Sequence, residues 1–288
     1  MRILAAHILR DSSNLLGEGP VWHDGAIWWV DIEAHLLQRL DDHGNYQTWT
    51  AGKRIGCAIP CDDGTWLLGM ENSLDRLDPV SGEHSPVVRL GHPPGAYRFN
   101  DGKCDPWGRL FLGTMTLSAP VMTAAFYRYD GVGSLKEIFG QVGTSNGLAW
   151  SANGAHFYYI DSKTGRIDIF DYDPATGTPS NRRPLVAMAP KGRPDGMCID
   201  SEGNLWAGHW DGWAVRCYSG IDGTCLAEIP LPCARVTSCC FGGPNLDRLY
   251  ITTASHGLHR EERYSQPDAG KLFIAEPGVT GAPVPLFR

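Results

Sequence analysis

The chain has 288 residues, including 35 glycines, 20 prolines, ten tryptophans, ten tyrosines and nine phenylalanines. This composition fits one large all-β domain or two ordinary ones, because large aromatic side chains favour half-buried strands. The formal charge of -7 and the lack of a basic patch argue against nucleic acid as a partner, since phosphate contacts need clustered Lys and Arg.

The first ten residues predict neither secretion nor a membrane anchor. Their apolar run is too short for a signal-peptide core, no small-residue cleavage site follows it, and every 18-residue window of the chain contains charge. The nine cysteines are odd in number and form no C-x-x-C pair, which favours reduced, buried thiols over a disulfide framework. We therefore expect a cytoplasmic protein with no membrane partner.

A turn followed at once by an aromatic-rich strand occurs six times along the chain. The turns lie at Gly25, Gly64, Gly108, Gly154, Gly203 and Asp247, at steps of 39, 44, 46, 49 and 44 residues. A period in the forties with several short strands per unit is typical of a propeller blade. The sequence therefore predicts an all-β fold, a six-bladed β-propeller, in a single domain over residues 1–288.

Each unit is interpreted as four antiparallel strands. In the fourth unit these are 147–151, 156–160, 166–172 and 183–188, from the channel outward, with a tight turn at 173–177. A strand within residues 2–10 is expected to pair in the last blade and close the ring, because closure removes an exposed sheet edge. Residues 258–264 are expected to form a solvated loop.

Four units begin their inner strand with an oxygen-bearing side chain directly before a glycine, or one residue earlier: Glu18, Asn100, Asn146 and Asp195. The equivalent residues of the second and sixth units, 56–57 and 237–238, offer weaker ligands. Equal positions in equal units should place the four side chains around one mouth of the central channel. Buried carboxylates need compensation, and one divalent cation would provide it: Ca²⁺, Mg²⁺ or Mn²⁺, with Zn²⁺ and Fe²⁺ also possible. The alternative is that these are ordinary turn dipeptides.

Several motifs along residues 16–272 resemble, in order, those of the SMP-30/gluconolactonase (regucalcin-like) family. They are Leu16-Gly17-Glu18-Gly19-Pro20, Arg98-Phe99-Asn100-Asp101-Gly102-Lys103, Gly113-Thr114-Met115, Ser145-Asn146-Gly147-Leu148, Asp161-Ser162, Arg193-Pro194-Asp195-Gly196-Met197 and Ser238-Cys239-Cys240-Phe241-Gly242-Gly243. The resemblance implies a six-bladed propeller that holds one divalent metal and hydrolyses sugar-acid lactones. It also implies that Glu18, Asn146 and Asp195 are the metal ligands and that Arg98 and Asn100 contact the substrate.

The implied activity is that of a metal-dependent sugar lactonase, which opens aldonolactones to aldonic acids. The metal would polarise the lactone carbonyl and activate water, and Asp195 is the candidate general base as well as a ligand. A purely metal-based mechanism is the alternative to this role of Asp195. For Arg98, the alternative is a surface ion pair with Asp101 or Asp105.

One departure from the family pattern concerns specificity. Regucalcin-like members have a substrate-contacting glutamate shortly after Gly-Thr-Met, but residues 116–120 here contain no carboxylate. Specificity is expected from the ends of the second strands, at 31–35, 70–73, 115–122, 161–164, 209–212 and 254–258. Within these segments, His209-Trp210 is a candidate for sugar binding, although a histidine beside a tryptophan is more often packed in a core.

Two other functions are compatible with the same motifs. One alternative is a non-catalytic propeller that binds a partner around a structural metal, and another is a propeller hydrolase of aryl esters or organophosphates. Residues 143–147 fit the G-x-S-x-G pattern of serine esterases but lack the strand–turn–helix context that it requires. Residues 171–173 resemble the start of a calcium loop, yet Arg182 falls where a glutamate is needed. The sequence does not name the lactone, the metal or the oligomeric state.

Overall fold

Strands dominate the computed structural model, which describes residues 1–131, 133, 135–187 and 191–288. They form six sheets in a ring around a central channel, each with four antiparallel strands, and one sheet gains a fifth. The prediction of a six-bladed β-propeller is confirmed. Within the described part of the chain, no helix has the length and hydropathy needed to cross a lipid bilayer.

The strands of the blades follow the chain order, from the channel outward. Blade 1 contains β3 (Gly17–His23), β4 (Ala26–Asp31), β5 (Leu36–Asp41) and β6 (Tyr46–Thr50), and blade 2 contains β7 (Ile55–Pro60), β8 (Trp66–Met70), β9 (Ser73–Leu77) and β10 (His84–Arg89). Blade 3 contains β11 (Tyr97–Cys104), β12 (Leu110–Thr116), β13 (Ala124–Tyr129) and β14 (Lys136–Val142). Blade 4 contains β15 (Ser145–Trp150), β16 (His156–Asp161), β17 (Arg166–Asp173) and β18 (Thr178–Val186).

The last two blades also take in the N-terminal residues. Blade 5 contains β19 (Arg193–Ile199), β20 (Leu205–Trp210), β21 (Ala214–Tyr218) and β22 (Cys225–Pro230), with β1 (Arg2–Ile3) as its fifth strand. Blade 6 contains β23 (Val236–Gly242), β24 (Arg248–Thr253), β25 (Leu272–Ala275) and, as its outer strand, β2 (Ala6–Arg10). The inner strands β7 and β15 are buried throughout, whereas the outer strands β6 and β10 are largely exposed.

The ring is closed by the N-terminal segment, as the sequence predicted. β2 pairs antiparallel with β25, with Ala6 opposite Ala275 and Ile8 opposite Phe273. β1 pairs parallel with β22 of the preceding blade, with Arg2 opposite Ala227. The segment therefore ties the fifth and sixth blades together and covers an edge of each.

Two details of the predicted strands differ in the structure. The outer strand β18 begins at Thr178 rather than at residue 183, because residues 173–177 form a tight hairpin and pairing starts at once, with Asp173 opposite Thr178. The predicted end of this strand at Met188 lies outside the described residues.

The predicted loop at residues 258–264 is wrong, because α1 (Arg260–Ser265) forms there. The side chain of Glu262 accepts a hydrogen bond from the amide of His259 at 2.8 Å, and acidic residues in the first turn favour the helix amino terminus. A helix this short is marginal alone. Gln266, just beyond it, accepts a hydrogen bond from the buried amide of Ala234 at 2.7 Å and anchors the segment to the ring.

The core consists of layers between successive blades, filled largely by aromatic side chains. In one layer Phe126 stacks on Phe157 with ring centroids 5.6 Å apart, and both rings are fully buried. All nine cysteines are free thiols, and eight are buried, which agrees with the expected absence of disulfides. Cys239 and Cys240 pack in different core layers on opposite faces of β23, as strand geometry requires.

Candidate functional site

A cavity of about 280 Å³ opens at one mouth of the central channel. All five residues that the sequence singled out line it: Glu18, Arg98, Asn100, Asn146 and Asp195. Each lies on the inner strand of its blade, β3, β11, β15 or β19. The structure thus brings together side chains that are spread over almost two hundred positions of the chain, as the repeat predicted.

A β-bulge in each inner strand positions these side chains. The register between the first and second strands shifts at the same point in all six blades: 18–21, 55–57, 99–102, 146–148, 194–197 and 236–238. A bulge leaves one or two residues out of the ladder and bends the strand. Four of the six bulges coincide with the four polar positions, so the bulge directs their side chains into the cavity.

The glycines of the motif serve close approach between blades. A Cβ on Gly147 would lie 2.8 Å from the carbonyl oxygen of Asp195 and 2.7 Å from Cγ of Met197 in the next blade. A Cβ on Gly196 would overlap the side chain of Ser238, one blade further on. The alternative interpretation as hairpin turn dipeptides is therefore wrong: these glycines lie within strands and let neighbouring inner strands touch.

A chain of hydrogen bonds joins the carboxamides across three blades. Asn100 donates through Nδ2 to Oδ1 of Asn146 at 3.0 Å and to the carbonyl of Ser145 at 2.7 Å. Asn146 in turn donates to the hydroxyl of Ser162 at 2.8 Å, and this hydroxyl donates to the carbonyl of Pro194 at 2.6 Å. Both amide orientations are fixed by these partners, so Oδ1 of Asn146 keeps a second lone pair for a ligand.

The two carboxylates are buried and poorly compensated. Glu18 is 7% and Asp195 is 5% exposed. One Glu18 oxygen accepts a hydrogen bond from the amide of Gly19 at 3.0 Å, and within the described residues the Asp195 carboxylate accepts none. Burial, followed by the charge of Asp101, raises the pKa of Glu18 to about 8, and burial together with the charge of Glu18 raises the pKa of Asp195 well above its usual range. Two acids in one cavity therefore need a positive charge to remain ionised.

Arg98 is 4% exposed and points into the cavity wall. It donates to the carbonyl of Phe99 at 3.0 Å and to Oδ1 of Asn100 at 2.5 Å, while Asp105 binds Arg109 instead at 2.6 Å. The alternative of a surface pair with Asp101 or Asp105 is wrong. Burial lowers the pKa of Arg98 to about 10, and the charge of Glu18 partly offsets that effect, so the group remains charged at neutral pH.

The upper wall of the cavity comes from five of the six segments named as specificity loops. It includes Glu33, Leu117, Lys163, Trp210 and His256, and the segment 70–73 contributes no lining residue.

His209 does not reach the cavity. It is fully buried, its Nε2 lies 3.1 Å from the hydroxyl of Tyr218, and burial lowers its pKa to about 3, so it is a neutral core residue. Only Trp210 of the candidate sugar-binding pair lines the cavity.

Sequence reasoning missed the charged residues at the mouth of the cavity, Glu33, Lys163, Arg193 and His256. Lys163 directly follows Asp161-Ser162 and Arg193 is the first residue of the motif Arg193-Pro194-Asp195-Gly196-Met197, so a position beside or within a motif was the available signal. Glu33 and His256 lie in predicted specificity segments, but nothing in the sequence distinguished them from their neighbours.

The rejected motifs lie in ordinary strands. Ser145 is fully buried at the start of β15, and a strand rather than a helix follows, so no nucleophile elbow exists there. Asp171 belongs to β17 and forms an ion pair with Arg183 at 2.8 Å.

A second cavity, of about 310 Å³, lies at the opposite end of the channel between the inner strands and residues 282–285. Its walls are mainly apolar and it holds none of the five predicted residues, so we place the candidate chemistry at the other mouth.

Fold and site together define a six-bladed β-propeller with a polar, small-molecule-sized cavity at one channel mouth. The chain belongs to the SMP-30/gluconolactonase/LRE-like family, whose sequence model matches residues 16–255. It is similar to regucalcin of Danio rerio (39% identity; 94% of each chain covered) and to a candidate sugar lactone lactonase of Bacillus subtilis strain 168 (35%; 96% of each). Among solved structures it is similar to regucalcin, a calcium-binding protein, of Agrobacterium tumefaciens strain C58, with a TM-score of 0.94, 26% identity, and 100% and 99% coverage.

Proposed function

We propose that the protein is a metal-dependent hydrolase that opens sugar-acid lactones to the corresponding aldonic acids. The observation that carries the proposal is the pair of buried, poorly compensated carboxylates, Glu18 and Asp195, facing one cavity beside the amide oxygen of Asn146. Family membership and the names of the similar proteins, regucalcin and a candidate sugar lactone lactonase, support the same class of substrate.

The residues present fit one divalent cation. Among the described residues no three or more His, Cys, Asp or Glu side chains are grouped so that they could hold a metal. The proposed ligand set is of a different kind, since it consists of two carboxylates and one carboxamide. Oxygen donors of this kind suit Ca²⁺, Mg²⁺ or Mn²⁺ and also accept Zn²⁺ or Fe²⁺. When bound by Glu18, Asn146 and Asp195, the cation would supply Lewis-acid polarisation of the lactone carbonyl and lower the pKa of a water.

Residues of the chain would orient the lactone. Arg98 presents its guanidinium inside the cavity wall, where its planar set of donors can hold ring or hydroxyl oxygens. Its position is fixed by the carbonyl of Phe99 and by Asn100, which is in turn held by Asn146. A pre-oriented donor of this kind lowers the entropic cost of reaching the reactive geometry.

Asp195 is the proposed base. Its carboxylate faces the cavity and accepts no hydrogen bond from the described residues, so both oxygens are free to bind a cation or to take a proton from water. With the cation bound, Asp195 would stay ionised, and a proton could pass to its carboxylate from a water whose pKa the cation lowers. Base catalysis by a metal-bound hydroxide is the alternative for this step.

The test is acid release from a panel of sugar lactones, measured after chelator treatment and after each divalent cation is restored. We expect activity to be lost with the metal, to return with at least one cation, and to fall by about 10²-fold or more in Asp195→Asn. Asp130→Asn, an exposed carboxylate on the blade 3 hairpin, is the matched control and should retain full activity. Undiminished activity without metal would refute the proposal.

The same panel distinguishes the alternatives. Turnover of aryl esters or organophosphates without turnover of sugar lactones would identify a differently specific hydrolase. Metal binding with no turnover of any panel member would indicate a partner-binding propeller with a structural metal.

The single-domain organisation over residues 1–288 and the cytoplasmic location stay predictions.

A further inference from the structure

Acidic and basic side chains both line the candidate cavity. Three acids line it, Glu18, Glu33 and Asp195, against the basic residues Arg98, Lys163, Arg193 and His256. The charges are also separated by depth. Glu18, Asp195 and Arg98 are buried, whereas Lys163, Arg193 and His256 are exposed at the mouth.

The acid at the mouth of the cavity, Glu33, already has a basic partner, Arg54. Arg54 donates to both of its oxygens, through Nε at 2.9 Å and through Nη2 at 3.0 Å. Arg54 is itself fixed by Glu71 at 3.0 Å. Glu33 is therefore held by Arg54 on one side of the mouth, whereas Lys163 and Arg193 line the mouth from blades 4 and 5.

Lys163 and Arg193 line the mouth of the cavity from the neighbouring blades 4 and 5. Their chain neighbours, Ser162 and Pro194, are joined by a hydrogen bond of 2.6 Å. The stem of Lys163 lies over Gly143, where any Cβ would be 2.4 Å from its Cγ. The same Ser162 hydroxyl accepts a hydrogen bond from Asn146, and both basic residues line the cavity that holds the proposed metal ligands.

Neither cation has a strong partner. Among the described residues the ammonium of Lys163 forms no ion pair or hydrogen bond. Arg193 reaches only Asp211, at 3.5 Å, with both side chains about half exposed (48% and 53%), and Asp211 also faces Arg235 at 3.6 Å. A shared, exposed pair of this length contributes little, so both groups are available to a ligand.

We infer that the site takes lactones that carry an anionic group, a carboxylate or a phosphate, at the end remote from the lactone carbonyl, and that Lys163 and Arg193 bind this group. The inference rests on the proposed lactonase function and names its substrate class. A guanidinium binds carboxylate or phosphate through two parallel donors, and an ammonium adds a point charge. Two cations at the mouth also attract an anionic substrate over longer range, an effect that salt screens.

The experiment compares three lactones with the same ring: one with a terminal hydroxymethyl group, one with a terminal carboxylate and one with a terminal phosphate ester. With the restored cation, kcat/KM should be about tenfold or more higher for at least one anionic lactone than for the neutral one. The two anionic arms tell carboxylate from phosphate. Equal or greater kcat/KM for the neutral lactone would overturn the inference and leave the lactonase proposal standing.

Variants assign the preference to the two residues. In Lys163→Met combined with Arg193→Gln, the ratio of anionic to neutral kcat/KM should fall by about tenfold, mainly through KM. The matched control is Lys136→Met combined with Arg89→Gln, both exposed on outer strands of other blades, which should keep the wild-type ratio. A ratio that is unchanged in the first double variant would overturn the assignment.

A binding measurement separates the two proposals. Calorimetry with the open-chain products, a sugar monoacid against the diacid and the phosphorylated monoacid of the same carbon skeleton, needs no turnover. Tighter binding of a doubly charged acid, lost in the Lys163/Arg193 double variant, supports the anion site even if no lactone is hydrolysed. Equal affinities for all three acids would refute it, whatever the activity assay shows.

Discussion

Replacing Gly147 with alanine should disturb the contact between blades 4 and 5 at the proposed metal site. The new Cβ would lie 2.7 to 2.8 Å from Cδ1 of Ile160, Cγ of Met197 and the backbone oxygen of Asp195. The side chains of Ile160 and Met197 can adjust, but the backbone oxygen belongs to Asp195, whose carboxylate faces the cavity. The strand carrying Asp195 must therefore shift away from Asn146.

Overpacking of this kind costs about 1–3 kcal/mol. Alanine also has less conformational freedom than glycine in the unfolded chain, and this difference stabilises the folded state by about 0.4–1 kcal/mol. We expect a net destabilisation of about 1–2 kcal/mol, which corresponds to a fall in Tm of about 2–4 °C for a chain of this size. Urea unfolding measures the change as a lower midpoint with an unaltered m-value.

Gly91→Ala is the matched control, because a Cβ at Gly91 meets no atom within 4 Å and its backbone does not require glycine. It should be as stable as the wild type or slightly more so. Calorimetric titration with Ca²⁺ or Mn²⁺ should show weaker binding only in Gly147→Ala. If both variants matched the wild type in unfolding midpoint and cation affinity, the close-approach argument for the motif glycines would be refuted.

Three further predictions concern stability and thiol access. Lys103 donates to the carbonyls of Leu148 and Met197 at 3.0 and 2.9 Å and so joins three blades inside the channel; Lys103→Met should cost about 2–3 kcal/mol in urea unfolding. Burial raises the pKa of Glu33, but the hydrogen bond and charge of Arg54 outweigh it and lower that pKa overall. The pair then stabilises the fold above the unfolded-state pKa of about 4.3, and the stability gap between wild type and Arg54→Met should shrink as pH falls below this value. Native thiol titration should find only Cys225 reactive, against nine thiols in denaturant; two or more fast native thiols would contradict the buried assignment.

Much of the fold follows from local sequence signals. A turn dipeptide before an aromatic strand fixes a hairpin, and six such signals at a near-constant period leave few arrangements except a closed ring of blades. The closure of the ring by the N-terminal strand could also be predicted from the sequence, since an open sheet edge has to be covered. The helix at Arg260–Ser265 did not follow, because so short a segment is stabilised by its contact with Ala234 through Gln266 rather than by its own propensity.

The sequence by itself determined which inner-strand positions converge, because Glu18, Asn100, Asn146 and Asp195 occupy the same place in their units. Only the tertiary structure decided how they converge: bulges in all six inner strands, and glycines that admit the backbone of the next blade. It alone also placed Lys163 and Arg193 at the mouth of one cavity and buried His209 in the core. Contacts between blades depend on distances between residues that are far apart in the chain, and the periodicity of a single sequence does not contain these distances.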